Sequence, residues 1–329
     1  RLARALVFLV VSCPCALVIS VPLAIFGGIG AASKRGVFLK GGSVLENLWR
    51  TKGVLFDKTG TLTKGVFTVT EVVPHGAFTS DELLRAAAAA ESGSNHPIAR
   101  AVAAAGGGTA DPVSVEEIAG MGVRAVVDGQ VVLAGNARLL ESAGIAVTPV
   151  EAGGALVHVA IGGRYAGYLV VSDTLRTEAA RAVHGLRTLG VTTIGMLSGD
   201  RAGNAETVAS SLGLDVWEGD LLPGDKLRSF ERERDRIGGV TVFVGDGLND
   251  APLLAAADVG LAMGGLGADA AVEAADGVLL GDDPSSVADV VAIARRTRTI
   301  VWQNITFALG VKARVLLMGA WGMAPMWEA

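Results

Sequence analysis

Asp57 lies in the run Leu55-Phe56-Asp57-Lys58-Thr59-Gly60-Thr61-Leu62-Thr63, directly after a short apolar stretch at 53–56. The stretch reads as a buried strand, and the glycine and threonines after it read as a turn. The carboxylate therefore projects from a strand end among backbone N–H groups and hydroxyls. So placed, it can attack a phosphoryl group, with Lys58 and a metal ion offsetting the negative charge. Two further polar groups follow apolar runs in the same way: Ser198-Gly199-Asp200 after 191–197, and Gly245-Asp246-Gly247-Leu248-Asn249-Asp250 after 240–244. Two carboxylates and backbone oxygens beside a phosphoryl acceptor make a hard-oxygen site suited to Mg²⁺. Asp57 is then nucleophile and metal ligand, and Asp246 the second carboxylate ligand.

The elements that must position these groups follow from periodicity. Strand-like runs at 54–56, 191–197, 240–244, 259–263 and 278–280 alternate with helical patterns. That alternation predicts a parallel sheet with helices on both faces, whose ligands gather beyond the carboxyl ends of the strands. Asp57, Ser198 and Asp246 would meet on that edge. Residues 65–170 have other habits. A helical pattern at 81–105 is broken by Ser92-Gly93-Ser94-Asn95-His96-Pro97, and two alternating stretches turn at Asp128-Gly129 and at Gly162-Gly163. These predict two helices followed by hairpins, an α+β domain inserted into the α/β one. Gly106-Gly107-Gly108 reads as a flexible loop.

Composition limits the partners. Half of the 329 residues are hydrophobic, and 33 acidic against 28 basic side chains give a net charge of −5, which argues against nucleic acid. A mean hydropathy of +0.48 suits a soluble body joined to membrane segments. No charge occurs from 5 to 32, a run long enough to span a bilayer as helix, and a second apolar stretch covers 300–319. Basic residues at 34, 35 and 40, and at 295, 296 and 298, flank the two runs on the sides that face the intervening body. By the positive-inside rule that body is cytosolic. Within the first run Cys13-Pro14-Cys15 sets two thiols beside a proline that breaks the helical ladder, and thiolates favour Cu⁺, Zn²⁺ and similar soft ions.

The stretch at 55–63 resembles the phosphorylation signature of the P-type ATPases, which phosphorylate this Asp from ATP. Ser12-Cys13-Pro14-Cys15-Ala16-Leu17 is similar to the metal-binding membrane helix of their heavy-metal branch. The resemblance implies a haloacid-dehalogenase-like parallel-sheet phosphorylation domain with an inserted α+β nucleotide-binding domain, flanked by transmembrane helices. It divides the chain into a membrane helix at 1–36, the first part of the phosphorylation domain at 37–64 and the nucleotide-binding domain at 65–170. The second part of the phosphorylation domain takes 171–294, a membrane helix 295–320, and the start of the next 321–329. It places the Thr59 carbonyl in the Mg²⁺ shell, lets Asn249 and Asp250 organise that shell, and gives Lys226 and Ser198 to the phosphate, alongside Gly199 and Asp200. Glu91, His96, Pro97, Gly120, Gly122 and Gly135 are similar to the nucleotide pocket of that branch.

Asn304 and Lys312 resemble the zinc, cadmium and lead exporters, whereas copper exporters carry a Tyr-Asn pair where Val311-Lys312 stand here. Lys312 thus joins Cys13 and Cys15 in the transported-ion site, paired with an Asp on a helix beyond this chain. The function implied is ATP-driven export of Zn²⁺, Cd²⁺ or Pb²⁺ by a multi-pass protein of a bacterial plasma membrane, with ATP and Mg²⁺ as cofactors. Copper export is the alternative. Earlier membrane helices and an actuator domain are expected outside the present sequence. A soluble haloacid dehalogenase phosphatase is the further rival. Such phosphatases commonly carry a second Asp two positions after the nucleophile, where Thr59 stands here.

Overall fold

The computed structural model describes residues 15–107, 112–150, 152–246, 250–264 and 269–320. Helix α1 (Cys15–Ser33), strand β1 (Val37–Leu39), α2 (Gly42–Leu48) and β2 (Gly53–Asp57) lead through a turn at 58–62 into β3 (Thr63–Pro74). Then come α3 (Ser80–Glu91), α4 (Pro97–Ala105), β4 (Ser114–Ile118), β5 (Gly122–Val127), β6 (Gln130–Gly135), α5 (Ala137–Ser142), β7 (Ala155–Ile161) and β8 (Arg164–Leu175). The chain continues through α6 (Thr177–Thr188), β9 (Thr193–Leu197), α7 (Ala202–Leu212), β10 (Val216–Glu218), α8 (Pro223–Ile237) and β11 (Thr241–Gly245). It closes with α9 (Ala251–Ala256), β12 (Val259–Met263), α10 (Asp269–Ala274), β13 (Gly277–Leu279) and α11 (Ser286–Ala320).

Seven strands form one sheet in the order β1-β13-β12-β11-β2-β9-β10, parallel except for the edge strand β1. The five expected strands are all present. The three-residue strands β1 and β10 were not expected, because three residues are too few to show a period. Strand β2 lies inside the sheet between β11 and β9, with later strands on both sides, so the connections diverge there and leave a crevice at its carboxyl end. Alternation along β2 explains the two-sided core. Val54 and Phe56 pack with residues of α6 and α11 on one face, and Leu55 packs with Phe230 of α8 and Leu253 and Leu254 of α9 on the other.

The second sheet, β3-β8-β7-β6-β5-β4, is antiparallel and takes in residues 63–175. Asp128 and Gly129 (φ 49° and 75°) and Gly162 and Gly163 (φ 56° and 76°) make the two tight hairpin turns. One face of this sheet buries Leu83, Ala87 and Val102 of α3 and α4, and the other buries Leu139 and Leu140 of α5. Thr79 caps α3 reciprocally with Glu82, a capping box that fixes where this layer starts.

Helix α11 is continuous from the body into an apolar half. Val287, Val290, Val291 and Ala294 are buried in the body, whereas Phe307 is 75% exposed and Leu317 57%. Among the described residues it is the helix long and apolar enough to cross a membrane, over Ser286–Met318. The described part of the first apolar run is α1, with Leu17–Ser33 a shorter apolar helix, and Val18, Leu23 and Phe26 are all over 60% exposed. The two helices cross at Gly28, where an added Cβ would stand 2.5 Å from Thr297 Oγ1 and 2.7 Å from Leu45 Cδ2. Gly28→Val should therefore cost about 1–3 kcal/mol through overpacking. Denaturant unfolding checks this, and an unchanged midpoint would show that the crossing is loose.

Candidate active site at the edge of the parallel sheet

Asp57 ends β2 opposite Leu197, so Ser198 stands beside it, and Asp246 follows the end of β11 on the other flank. The turn after Asp57 is held from outside. Arg176, between β8 and α6, donates from Nη2 to the Gly60 carbonyl and from Nε to the Thr63 carbonyl, both at 3.0 Å. The Thr63 hydroxyl donates to the Lys58 carbonyl at 3.0 Å. Gly60 has φ 75°, and a Cβ there would lie 1.5 Å from Asp246 Oδ2. Glycine is required twice over, by conformation and by the carboxylate lying across it.

Lys226 enters from the first turn of α8, which Pro223 starts at a position needing no N–H donor. Its Nζ donates to Asp57 Oδ1 and to Asp250 Oδ1, each at 2.6 Å, and all three side chains are at most 10% exposed. Oxygens of Asp57, Asp246 and Asp250 lie within 4.8 Å of one another. Burial pushes the Asp57 carboxyl up to about 7 against the pull of Lys226, with repulsion from Asp250 and Asp246 adding to the rise. Asp246 is pushed up to about 6 by burial and by Asp250. Burial lowers the Lys226 ammonium, but Asp57 and Asp250 outweigh it and hold the group above its ordinary value. Three acids around one ammonium leave negative charge in excess, and their donors are hard oxygens. That is a fit for a divalent cation of the Mg²⁺ kind.

The ammonium beside Asp57 belongs to Lys226, whereas Lys58 pairs with Asp200. Ser198 is buried beneath that pair, its Oγ accepting from the Asp200 N–H at 3.0 Å, and so shapes the loop through Gly199. The Thr59 side chain is exposed. Asn249 lies outside the described residues, as does Cys13. Helix α1 begins at Cys15. Asn304 and Lys312 sit about two turns apart on α11, far along the chain from the Asp57 cluster.

Lys58, Gly199 and Asp200 line a cleft of ≈ 1260 Å³ between the two sheets. A smaller cavity of ≈ 280 Å³ gathers Glu91, His96, Gly120, Gly122 and Gly135, five of the six residues expected at a nucleotide pocket. Gly122 and Gly135 face each other across β5 and β6, and a Cβ on either would come within 2.2 Å of a carbonyl oxygen. Their backbones thus form a bare wall that a flat ligand can approach. His96 caps α4, with Nδ1 accepting from the Ile98 N–H at 3.3 Å, and Pro97 opens that helix without itself lining the cavity. Cavity and cleft share Asn136 and Leu156, so they are neighbours along one path. Asn136 is fixed by donating to the Gly120 carbonyl at 2.9 Å while capping α5. Sequence reasoning sets Asn136 beside Gly135 at this pocket without giving it a role, and misses Arg176 altogether, because Arg176 carries no local pattern.

Two outcomes follow. Gly60→Ala should drive Asp246 off the turn and lower Mg²⁺ affinity at least roughly tenfold in calorimetric titration, with the far-ultraviolet circular dichroism retained; undiminished affinity would refute the packing argument. Burial first, and Glu117 second, push the Glu91 carboxyl from 4.5 up to about 7. A carboxyl whose folded value is raised favours the fold below the unfolded value and loses that contribution as pH climbs through the folded one. Glu91→Gln should therefore gain on the native protein between pH 4.5 and about 7, by on the order of 2 kcal/mol at the upper end, in unfolding titrations across pH.

A haloacid dehalogenase-like hydrolase profile matches residues 51–258. The chain is 53% identical to the cadmium, zinc and cobalt-transporting ATPase of Bacillus subtilis (strain 168) over 99% of its own length and 47% of that protein's. It is 50% identical to the zinc-transporting ATPase of Synechocystis sp. (strain ATCC 27184 / PCC 6803 / Kazusa), over 99% and 46%. Its fold is similar to the crystal structure of a zinc-transporting PIB-type ATPase in the E2.Pi state, with TM-score 0.88 and 37% identity over 98% of this chain and 54% of that one. The chain spans about half the length of the curated relatives it matches. The match over 51–258, with Asp57, Lys226 and Asp246 inside it, places the chain in the haloacid dehalogenase-like hydrolase family, where its relatives are metal-transporting P-type ATPases.

Proposed function

We propose that the chain is the catalytic body and part of the membrane path of a P-type ATPase that exports soft divalent metal ions. The observation that carries this reading is the cluster of Asp57, Asp246 and Asp250 around Lys226. Asp57 is one residue along the chain from Lys58, which lines the cleft that adjoins the Glu91 and His96 cavity. The antiparallel unit is read as the nucleotide-binding domain and the parallel-sheet unit as the phosphorylation domain. Adenine would lie against Gly122 and Gly135 beside Glu91 and His96, and the phosphates would run past Asn136 towards Lys58 and Asp57.

Lys226 fixes Asp57 through Oδ1 and leaves Oδ2 for attack on the γ-phosphorus of ATP. The bond to the β–γ bridging oxygen breaks, ADP leaves, and the phosphoryl group remains on Asp57 as an acyl phosphate. Asp57, Asp246 and the Thr59 carbonyl would hold Mg²⁺, with Asp250 and Asn249 organising that shell; Mg²⁺ offsets charge on the transferred group. Lys226 and Ser198 would support the phosphate. Thr59 leaves no carboxylate two positions after the nucleophile to activate water. The missing acid–base group slows hydrolysis by roughly 10² to 10⁴. A phosphoenzyme that lasts suits a pump, which must change shape before hydrolysis.

Cys13, Cys15 and Lys312 are read as the transported-ion site, by ligand softness and because an intramembrane lysine is functional by default. The relatives' names give cadmium, zinc and cobalt as cargo for those proteins. The full-length protein in liposomes should hydrolyse ATP faster on addition of Zn²⁺ or Cd²⁺ than of Cu⁺, with no hydrolysis by Asp57→Asn and a lost divalent response in Lys312→Ala. A preference for Cu⁺, or a full divalent response in Lys312→Ala, would overturn the assignment of cargo.

A further inference from the structure

Where α11 leaves the body, a second cleft of ≈ 1180 Å³ opens that the catalytic chemistry does not use. Four of its lining residues are cationic: Arg50 and Lys52 from the segment between α2 and β2, and Arg295 and Arg298 from α11. No Asp or Glu lines it, and none of the four forms an ion pair among the described residues. Arg295 is anchored by donating to the Thr51 carbonyl at 3.2 Å, whereas Arg50, Lys52 and Arg298 are exposed. Trp49 and Trp302 line the same cleft, with Trp302 57% exposed. Thr51, Thr192 and Thr299 also line it, each hydroxyl donating to a backbone carbonyl.

The position of this cleft selects its ligand. Along α11 the lining runs from Arg295 to Phe307; Val301, within that stretch, is buried, and at its far end Phe307 and, beyond it, Leu309 are exposed and apolar. On the membrane reading of α11, the boundary between water and hydrocarbon falls at Trp302. An amphipathic ring is stable at that depth, and cations there face the phosphate layer. Four positive charges with no acid among them, beside an apolar stem, complement a molecule with a phosphodiester at one end and acyl chains at the other. We infer that the cleft lined by Arg50, Lys52, Arg298 and Trp302 is a binding site for the headgroup of an anionic phospholipid of the cytoplasmic leaflet. Bound there, the lipid clamps the α2–β2 segment to α11 and so joins strand β2 to the membrane helix. The inference rests on the proposal that α11 spans the bilayer.

The test uses the chain in nanodiscs of phosphatidylcholine alone and of phosphatidylcholine mixed with phosphatidylglycerol, with retained lipid identified by native mass spectrometry. Three proteins are compared: the unaltered chain, the triple variant Arg50→Gln/Lys52→Gln/Arg298→Gln, and a control with three distant charges removed, Arg85→Gln/Arg124→Gln/Arg228→Gln. Arg295 is left in place because it holds the Thr51 carbonyl. The unaltered chain and the control should retain phosphatidylglycerol over phosphatidylcholine. The cleft variant should lose that preference, by roughly fivefold for each charge removed, while still entering both kinds of disc. Entry without any preference for phosphatidylglycerol would overturn the site and leave the membrane reading intact. Failure to enter either disc would overturn both. An equal loss in the control would reduce the effect to general surface charge, and displacement by inorganic phosphate alone would make the ligand a free anion. In the full-length protein, Arg50→Cys should react with a soluble maleimide once lipid is stripped away. A thiol that stays protected would mean that protein covers the cleft, and would also overturn the inference.

Discussion

One ammonium group holds the candidate site together. Lys226 binds Asp57 and Asp250 at 2.6 Å each, all three at most 10% exposed, with a half-buried Asp246 close by. Removing such charges from water costs several kcal/mol per ion unless partners compensate, and one cation cannot compensate three acids. The raised carboxyls of Asp57 and Asp246 are the visible result. The remaining imbalance makes the site receptive to a second cation and, on the proposed function, to the phosphoryl chemistry that such a cation supports. Removing Lys226 alone would leave buried like charges facing each other, so its role in the fold cannot be separated from its role at the site.

The geometry of that cluster is borrowed from two directions. Parallel pairing of β11, β2 and β9 brings residues nearly 190 positions apart to one strand edge, a consequence of core alternation and crossover topology. The turn after Asp57 is set differently. It is the point where the chain leaves the parallel sheet for the antiparallel one, and Arg176 grips it from the point where the chain returns. Both crossings between the units therefore touch the same few carbonyls. Any shift of the antiparallel unit relative to the parallel one bears directly on Gly60 and, through it, on Asp246.

Much of this was legible in the sequence, for identifiable reasons. Strand β2 is a solid apolar run, Asp128-Gly129 and Gly162-Gly163 are strong turn pairs, and Asp57, Asp246 and Lys226 sit in motifs of several residues. What escaped was set by tertiary contact. Strands β1 and β10 are too short to show a period and exist because a sheet edge was available. Lys58, adjacent to Asp57 in sequence, turns to Asp200 instead, since the extended backbone at Asp57 and Thr59 sends neighbouring side chains apart. Arg176 owes its importance to backbone carbonyls it meets in space, and no spacing rule anticipates such partners.

The central claim is that Asp57 receives the phosphoryl group because Lys226 and the neighbouring acids hold it ready. An acyl phosphate, unlike a carboxylate, is reduced by borohydride to the corresponding alcohol. After incubation with ATP and Mg²⁺, borohydride treatment and peptide mass spectrometry should find homoserine at position 57 and aspartate unchanged at positions 200, 246 and 250. Homoserine at any of those other positions, or at none of the four, would contradict the account.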